Sequence, residues 1–177
     1  MKNFNLELKL QQHIYAHTNN ELINMKLYLM RHGEALSSDI DPEQGLSDNG
    51  KEKIEALAKN LRQQHVSFKS AFHSEKKRAM QTAEIMTRVL SSEVIPRVMQ
   101  DIKPNDDPRM VAPEMNTWKE DTLVTTHLPF LPNLVTLLTG QDVFLSAVTF
   151  ETGTVICLEK GNNDSWSLKW SSAPSEI

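Results

Sequence analysis

The sequence predicts an α/β domain, a three-layer sandwich with helices on both faces of a mostly parallel central sheet. Through the first two thirds of the chain, short apolar runs alternate with segments of helical periodicity, which is typical of parallel sheets. The last third holds closely spaced strand-like segments, which predict antiparallel strands at the C-terminal end.

Length and composition fit one domain. The 177 residues are enough for one core and too few to expect two. A net charge of −4 provides no basic surface for nucleic acid, and no stretch approaches the roughly 18 apolar residues of a membrane span. We therefore expect neither nucleic acid nor a membrane as a partner.

The single cysteine, Cys157, excludes an intrachain disulfide, and its apolar neighbours indicate a buried strand thiol. No charged and then apolar leader opens the sequence, so a cytoplasmic location is expected. Residues 1–24 are rich in Asn and Gln, and we interpret them as a loosely ordered extension or a misassigned start before a domain at 25–177. A metal site at His13 and His17 is the competing idea, but no acidic or cysteine ligand stands close by.

The first predicted strand is the apolar run at 26–30, which ends at Arg31, His32 and Gly33. Open α/β sheets place ligand sites at the carboxyl ends of their strands. Gly33 would let the backbone turn sharply or approach a bound group closely. Taken alone, the tripeptide also fits a strand that ends in surface polar residues.

A polar loop then leads to a helix with Ser47 as its N-cap, which should run to about Gln64. Its apolar stripe recurs at helical spacing and must pack on the sheet: Ile54, Leu57, Ala58 and Leu61. A short strand at 66–72 follows and ends at His73, which we interpret as a polar residue beside the site rather than a catalytic group.

The next helix is predicted at 75–90, with Ser74 as its cap and Arg78 about one turn inside. An arginine near a helix N-terminus is poorly placed in the helix dipole, so a nearby anion would account for it better. Residues 94–99 suggest a third strand, at the sheet edge because Pro96 cannot donate to a ladder.

Residues 101–119 carry three prolines and little periodicity, which is typical of a functional or mobile connection. A strand at 121–126 then ends at His127, and a helix at 129–138 is terminated by Gly140. Strands follow at 148–150, 154–159 and 166–170, the last two joined by a hairpin turn at 161–164. Two strand-end histidines and two arginines could thus converge on one anion.

Three motifs occur in a characteristic order: R-H-G-E-A at 31–35, S-x-x-x-R-A-x-Q-T-A-E at 74–84 and T-H-L-P at 126–129. Together with the segment at 150–155, they resemble the histidine phosphatase superfamily and, within it, the SixA-like phosphohistidine phosphatases. The resemblance extends from Met25 to about Trp170 and implies the three-layer architecture of that family.

The resemblance implies that His32 attacks phosphorus and forms a phosphohistidine intermediate that water hydrolyses. Arg31 and Arg78 would bind the phosphoryl oxygens, and His127 would stabilise the transition state. The backbone amide of Leu128 is a plausible further donor. Chemistry agrees, since a neutral imidazole is a competent nucleophile and a phosphoryl group needs cations around it. Neither a metal nor another cofactor is expected.

A general acid is harder to place. Larger relatives supply a glutamate from the region that corresponds to 101–119, and this sequence lacks that motif. Asp106 and Asp107 are the nearest substitutes and Glu114 is a weaker one, although turn chemistry would explain all three.

Without a clear acid, and without insertions that could form a deep lid, the site should be open and accept a phosphohistidine on another protein. The resemblance implies a histidine phosphotransfer domain or a phosphocarrier protein as substrate, and we expect a monomer. The alternatives are a small-molecule phosphomonoesterase that uses the same His32 intermediate and a catalytically silent phosphate-binding module.

Overall fold

The computed structural model describes residues 25–141, 148–161 and 165–177. The predicted extension at 1–24, with His13 and His17, lies outside the described residues, as does most of the predicted hairpin turn at 161–164. Within these ranges, no helix combines the length and apolar character needed to cross a bilayer.

The described residues form a six-stranded sheet in the order β3-β2-β4-β1-β5-β6. The β3, β2, β4 and β1 strands run parallel, and β5 and β6 continue the sheet in antiparallel pairing. The prediction of a mostly parallel sheet with antiparallel C-terminal strands is therefore confirmed. The strands are β1 Lys26–Arg31, β2 Ser70–His73, β3 Arg97–Val98, β4 Thr122–Thr126, β5 Val155–Lys160 and β6 Trp166–Ser172.

Helices cover both faces of this sheet. They are α1 Asp48–Gln63, α2 Lys77–Leu90, α3 Ala112–Met115 and α4 Phe130–Thr139, with short 3₁₀ turns at Pro108–Met110 and Pro174–Glu176. One core lies between the sheet and α1 and α2, and the other lies between the sheet and α3 and α4. This arrangement is the predicted three-layer sandwich.

Strand β1 shows why the sheet needs both layers. Leu27 and Leu29 face the α4 core, whereas Tyr28 and Met30 face the α1 and α2 core, and all four are at most 3% exposed. A strand that is apolar on both faces must be covered on both. Apart from Lys26 at the start of the strand, the polar residues of this segment therefore begin only at its end, with Arg31.

The predicted stripe of α1 is confirmed, because all four of its residues are fully buried against the sheet. Ser47 is the N-cap, and its Oγ accepts a hydrogen bond from the amide of Gly50. Helix α4 ends at Gly140, which has the left-handed φ of 67°. Cys157 is a buried strand thiol as expected, and burial raises its pKa to about 12.

Two strand predictions were wrong in extent. The strand predicted at 66–72 begins only at Ser70, because its partner β4 begins at Thr122, opposite Ser70. The strand predicted at 94–99 shortens to two residues at the sheet edge, as Pro96 suggested.

Residues 148–150 form no strand, contrary to the prediction. The carbonyl of Phe150 accepts from the side chain of Arg31, and the carbonyl of Thr149 accepts from Thr154 Oγ1. Side chains thus use the acceptors that a strand partner would need. The cap prediction for α2 was also wrong, because this helix begins after Lys76 with no side-chain cap.

Candidate active site

Strands β1 and β4 are parallel neighbours, so the residues that follow them lie side by side. His32 follows β1, His127 follows β4, and their ring centroids are 4.9 Å apart. The backbone fixes this register, because the amide of His32 donates to the carbonyl of Thr126 at 3.0 Å. The structure therefore brings together the two strand-end histidines that the sequence singled out.

The ring of His32 has both of its nitrogens engaged. Nδ1 lies 2.7 Å from the carbonyl oxygen of Gly33, and Nε2 lies 3.1 Å from Nε of Arg78. A carbonyl only accepts and a guanidinium only donates, so Nδ1 carries the hydrogen and Nε2 keeps its lone pair. The lone pair is the feature that a nucleophile needs.

The same imidazole is neutral at physiological pH. Burial is the main cause that lowers the pKa of His32 to about 4, and the charges of Arg78 and Arg31 lower it further. The hydrogen bond to Gly33 opposes this shift. The effect of each of the two guanidinium groups on the pKa is smaller than the effect of burial.

His127 is 1% exposed and lies deeper than its neighbour. Burial is again the first cause of a pKa lowered to about 3, followed by the proximity of His32 and Arg78. Its Nε2 lies 2.6 Å from Oγ of Ser74, and its buried Nδ1 has no hydrogen-bond partner among the described residues. This ring is therefore neutral, with one nitrogen occupied and one available.

Arg78 lies in the first turn of α2 and uses two of its nitrogens. Nε contacts His32, and Nη1 donates to Oε1 of Gln44 at 3.1 Å. Gln44 belongs to the polar loop before α1, and no periodicity or strand end marks it in the sequence. It is one residue that sequence reasoning missed.

Arg31 is held against the chain segment before β5. Its Nη1 donates to the carbonyl of Phe150 at 2.6 Å, and its amide donates to the carbonyl of Thr154. The amide of Gly153 donates in turn to the carbonyl of His32 at 3.0 Å. Residues 150–154 thus hold the Arg31 and His32 pair from the side opposite α2.

The buried Nε of Arg31 has no hydrogen-bond partner in the described part of the chain, like Nδ1 of His127. A buried donor left unpaired typically costs about 1–3 kcal/mol. The charge of Arg31 is close enough to His127 to contribute to the lowered pKa of that ring. An oxyanion bound beside Arg31 Nε would give this donor a partner.

Gln81 and Thr82 belong to the second motif, but no role could be assigned to them from the sequence alone. Thr82 Oγ1 donates to the carbonyl of Arg78 and accepts from the amide of Gly33, and Gln81 Oε1 accepts from the amide of Leu46. These bonds tie α2 to the turn after β1 and to the loop before α1. The spacing within the motif at 74–84 was the sequence signal that could have pointed to these two residues.

Gly33 is required by close packing. A Cβ at Gly33 would lie 2.8 Å from Cγ1 of Ile54 in α1. Glu34 beside it accepts hydrogen bonds from Ser47 Oγ and Asn49 Nδ2, which hold the pKa of its carboxyl below the usual range. Glu34 therefore connects the site loop to the start of α1.

The remaining candidates make contacts outside the group of four central side chains, which are those of Arg31, His32, Arg78 and His127. His73 is buried beside the site, and its Nδ1 contacts the carbonyl of Ser74. Asp106 accepts from the amide of Lys103, and Asp107 caps a 3₁₀ turn and pairs with Arg109. In the chain as described, no hydrogen bond or ion pair joins either aspartate to the four central side chains. Glu114 lies on the short helix α3 and Leu128, half-buried, connects His127 to α4.

Residues 27–99 match the model of the histidine phosphatase superfamily, branch 1. These residues contain Arg31, His32 and Arg78 in the arrangement just described. The match covers less than half of the chain, and over this segment the chain is similar to the histidine phosphatase superfamily. Across the described ranges, the chain has no group of three His, Cys, Asp or Glu side chains placed to hold a metal ion.

Solved structures of similar fold extend the likeness to most of the chain. The protein histidine phosphatase SixA in complex with tungstate has a TM-score of 0.75 and 24% identity, over 86% of this chain and 99% of that one. A putative phosphohistidine phosphatase SixA from Agrobacterium tumefaciens has a TM-score of 0.71 and 19% identity, over 85% and 99%. At these identities the likeness concerns the fold.

A curated relative matches over a shorter stretch. The mouse 6-phosphofructo-2-kinase/fructose-2,6-bisphosphatase 1 is 36% identical in an alignment of 86 residues that covers 44% of this chain. The match spans only 18% of the length of that relative.

Proposed function

We propose that this protein is a phosphatase that removes the phosphoryl group from a phosphohistidine on another protein, through a phosphohistidine intermediate at His32. One observation carries the proposal. The neutral ring of His32 keeps its Nε2 lone pair beside Arg78, because Nδ1 is committed to the carbonyl of Gly33. Fold similarity to the protein histidine phosphatase SixA supports the same reading.

In the first step, the Nε2 lone pair of His32 forms a bond to phosphorus while the bond from phosphorus to the substrate imidazole breaks. The substrate ring is protonated on its other nitrogen before transfer, so the departing imidazole keeps the electron pair and leaves as the neutral base, and the proton lost by the attacking water in the second step restores the proton balance. In the second step, water attacks phosphorus, the bond to His32 breaks, and inorganic phosphate leaves. His32 returns to its neutral form, and no step uses a metal.

Arg31, Arg78 and His127 would hold the phosphoryl oxygens as charge builds on them, with the Leu128 amide as a further donor. Two buried nitrogens that lack a hydrogen-bond partner among the described residues, Arg31 Nε and His127 Nδ1, are available for this role. Hydrogen bonds to charged groups typically contribute about 1.5–3 kcal/mol each. Such donors would neutralise the charge that develops on the transferring phosphoryl group, which is the role of magnesium in kinases.

The leaving group favours phosphohistidine over a phosphate ester. An alkoxide leaves only with strong help from an acid, whereas imidazole is a far weaker base. Asp106 and Asp107, the candidate acids, are engaged by Lys103 and Arg109 in their own turns. We propose a histidine phosphotransfer domain or a phosphocarrier protein as substrate, and a monomeric enzyme.

Rapid quench with a labelled phosphohistidine protein tests this proposal. We expect an alkali-stable, acid-labile label on His32 that disappears on the time scale of turnover. The His32→Ala variant should take up no label and lose turnover. His65→Asn is the matched control, because His65 is exposed beyond the end of α1, and it should label like the wild type.

A substrate panel separates the alternatives. Efficient turnover of sugar phosphates with none of phosphohistidine proteins would identify a small-molecule phosphomonoesterase and refute the proposed substrate. Absence of any label, together with unchanged behaviour of His32→Ala, would identify a silent phosphate-binding module.

A further inference from the structure

The hydroxyl of Ser74 lies where the end of β2, the strand β4 and the start of α2 meet. Ser74 is fully buried, its amide donates to the carbonyl of Thr125 in β4, and its own carbonyl contacts Nδ1 of His73. Its Oγ lies 2.6 Å from Nε2 of His127 and accepts from the amide of Lys76 at 3.3 Å. The position of this hydroxyl is therefore fixed from several sides.

The hydrogens around Oγ can be counted. The amide of Lys76 can only donate, so it occupies one lone pair of Oγ. The one hydroxyl hydrogen of Ser74 has Nε2 of His127 as its acceptor, and no other acceptor contacts Oγ in the part of the chain described. The reverse arrangement, with Nε2 as donor, would leave the hydroxyl hydrogen buried and unpaired.

A neutral imidazole has one hydrogen and one lone pair, so an accepting Nε2 places the hydrogen on Nδ1. The low pKa of His127 prevents the ring from carrying both hydrogens in the free protein. Nδ1 is buried, lacks a partner among the described residues, and belongs to the ring that lies 4.9 Å from His32. A hydrogen there can be donated to a phosphoryl oxygen, whereas a lone pair there would repel it.

We infer that Ser74 is a positioning residue, whose hydroxyl holds His127 in the tautomer with hydrogen on Nδ1 so that Nδ1 can donate to a phosphoryl oxygen beside His32. The inference rests on the phosphatase function proposed above and adds a specific role to it.

Nitrogen-15 NMR of the full chain with labelled histidine tests the tautomer directly, with His127 assigned by difference from His127→Asn. We expect hydrogen on Nδ1 in the wild type and a mixture of tautomers in Ser74→Ala. Thr125→Val is the matched control, because it removes a neighbouring buried hydroxyl that has no hydrogen-bond partner in the described chain. Its spectrum at His127 should equal that of the wild type.

Turnover of a phosphohistidine protein provides the second measurement. We expect Ser74→Ala to lower kcat by about 10- to 100-fold, the range typical when the partner of a functional histidine is removed, with a smaller change in KM. Thr125→Val should keep kcat within about twofold of the wild type, as expected of a change away from the reacting groups.

Hydrogen on Nε2 in the wild type would overturn the inference, and so would a Ser74→Ala variant with an unchanged tautomer and kcat. If Ser74→Ala does not fold, the wild-type spectrum alone decides. A wild-type protein that turns over no phosphorylated donor would refute the phosphatase function, whereas the spectrum would still report where the hydrogen lies.

Discussion

Arg78 contacts His32 through Nε while its Nη1 is engaged by Gln44, so two edges of one guanidinium are in use. Lysine carries the same charge on a single ammonium group and cannot reproduce this planar geometry. The contact with Gln44 also fixes the plane of the guanidinium before any ligand arrives. At this position, geometry matters in addition to charge.

Arg78→Lys should therefore lower kcat for phosphohistidine hydrolysis by about 10- to 100-fold, the equivalent of one charge-assisted hydrogen bond. Steady-state kinetics would measure the effect. Arg88→Lys is the matched control, since Arg88 lies in the same helix and forms an exposed pair with Glu55 at 3.0 Å. Wild-type kcat in Arg78→Lys would show that charge alone suffices.

At this scale, the sequence predicted which residues meet but not how they are held. Arg31, His32 and His127 were recognisable because each follows an apolar run, and Arg78 because it is poorly placed in the helix dipole. The contacts that Gln44 and Ser74 make at the site could not be predicted, because their partners are distant in the chain and no periodic pattern marks them. Ser74 was assigned as a cap because sequence shows only its nearest neighbours.

Among the elements, α1 has the closest connection to the site. Ser47 Oγ donates to Glu34 at 2.6 Å and accepts from the amide of Gly50. A Cβ on Gly50 would collide with the backbone carbonyl oxygen of Glu34, which cannot move aside as a flexible side chain could. The start of the helix and the loop that carries His32 are therefore packed as one unit.

Gly50→Ala should destabilise the protein by about 1–3 kcal/mol, although alanine is the better helix former. Urea unfolding would measure the change. Lys51→Ala, at an exposed position in the same turn, is the control and should stay within about 0.5 kcal/mol of the wild type. A more stable Gly50→Ala variant would show that helix propensity outweighs the close contact.

The helices α1 and α4 were predicted more accurately than the strands β2 and β3. The stripe of α1 and the end of α4 at Gly140 are properties of the local sequence, so both were placed within a residue or two. A strand forms only where a neighbouring strand offers hydrogen-bond partners in register, and that neighbour lies far away in the sequence. The strand predicted at 66–72 was therefore too long, and the one predicted at 148–150 does not form.

For the whole molecule, the two neutral histidines link stability to pH. The pKa of His32 is lowered to about 4 and that of His127 to about 3, both below the ordinary value of 6.5. Between pH 6.5 and about 4, the unfolded chain therefore binds protons that the folded chain does not. Because stability rises with pH wherever the unfolded state binds more protons, it must fall as pH drops through this window.

We expect the free energy of unfolding to decrease from pH 7 to pH 4.5, with a smaller decrease in His127→Asn, which lacks one of the two groups. Each unit of pKa shift corresponds to about 1.4 kcal/mol. Urea unfolding at a series of pH values would measure both slopes. His65→Asn should keep the wild-type slope, and equal slopes in all three proteins would contradict the burial effect.

The fold class could be predicted because the spacing of apolar residues shows locally where strands and helices alternate. Periodicity does not determine the strand order, in which β4 lies between β1 and β2. That order makes β1 and β4 neighbours and so decides which histidines can meet. The family resemblance predicted the three-layer architecture. The register of β1 against β4 is set by hydrogen bonds between residues that are distant in the sequence.

The hydrogen bonds from residues 150–154 to Arg31 and His32 also bear on how the protein matures during synthesis. All four central side chains have left the ribosome well before this segment does. A nascent chain that stops short of it would carry the complete set of reactive groups without the support that aligns the first two. We therefore expect catalytic competence to arise only when the final strands emerge.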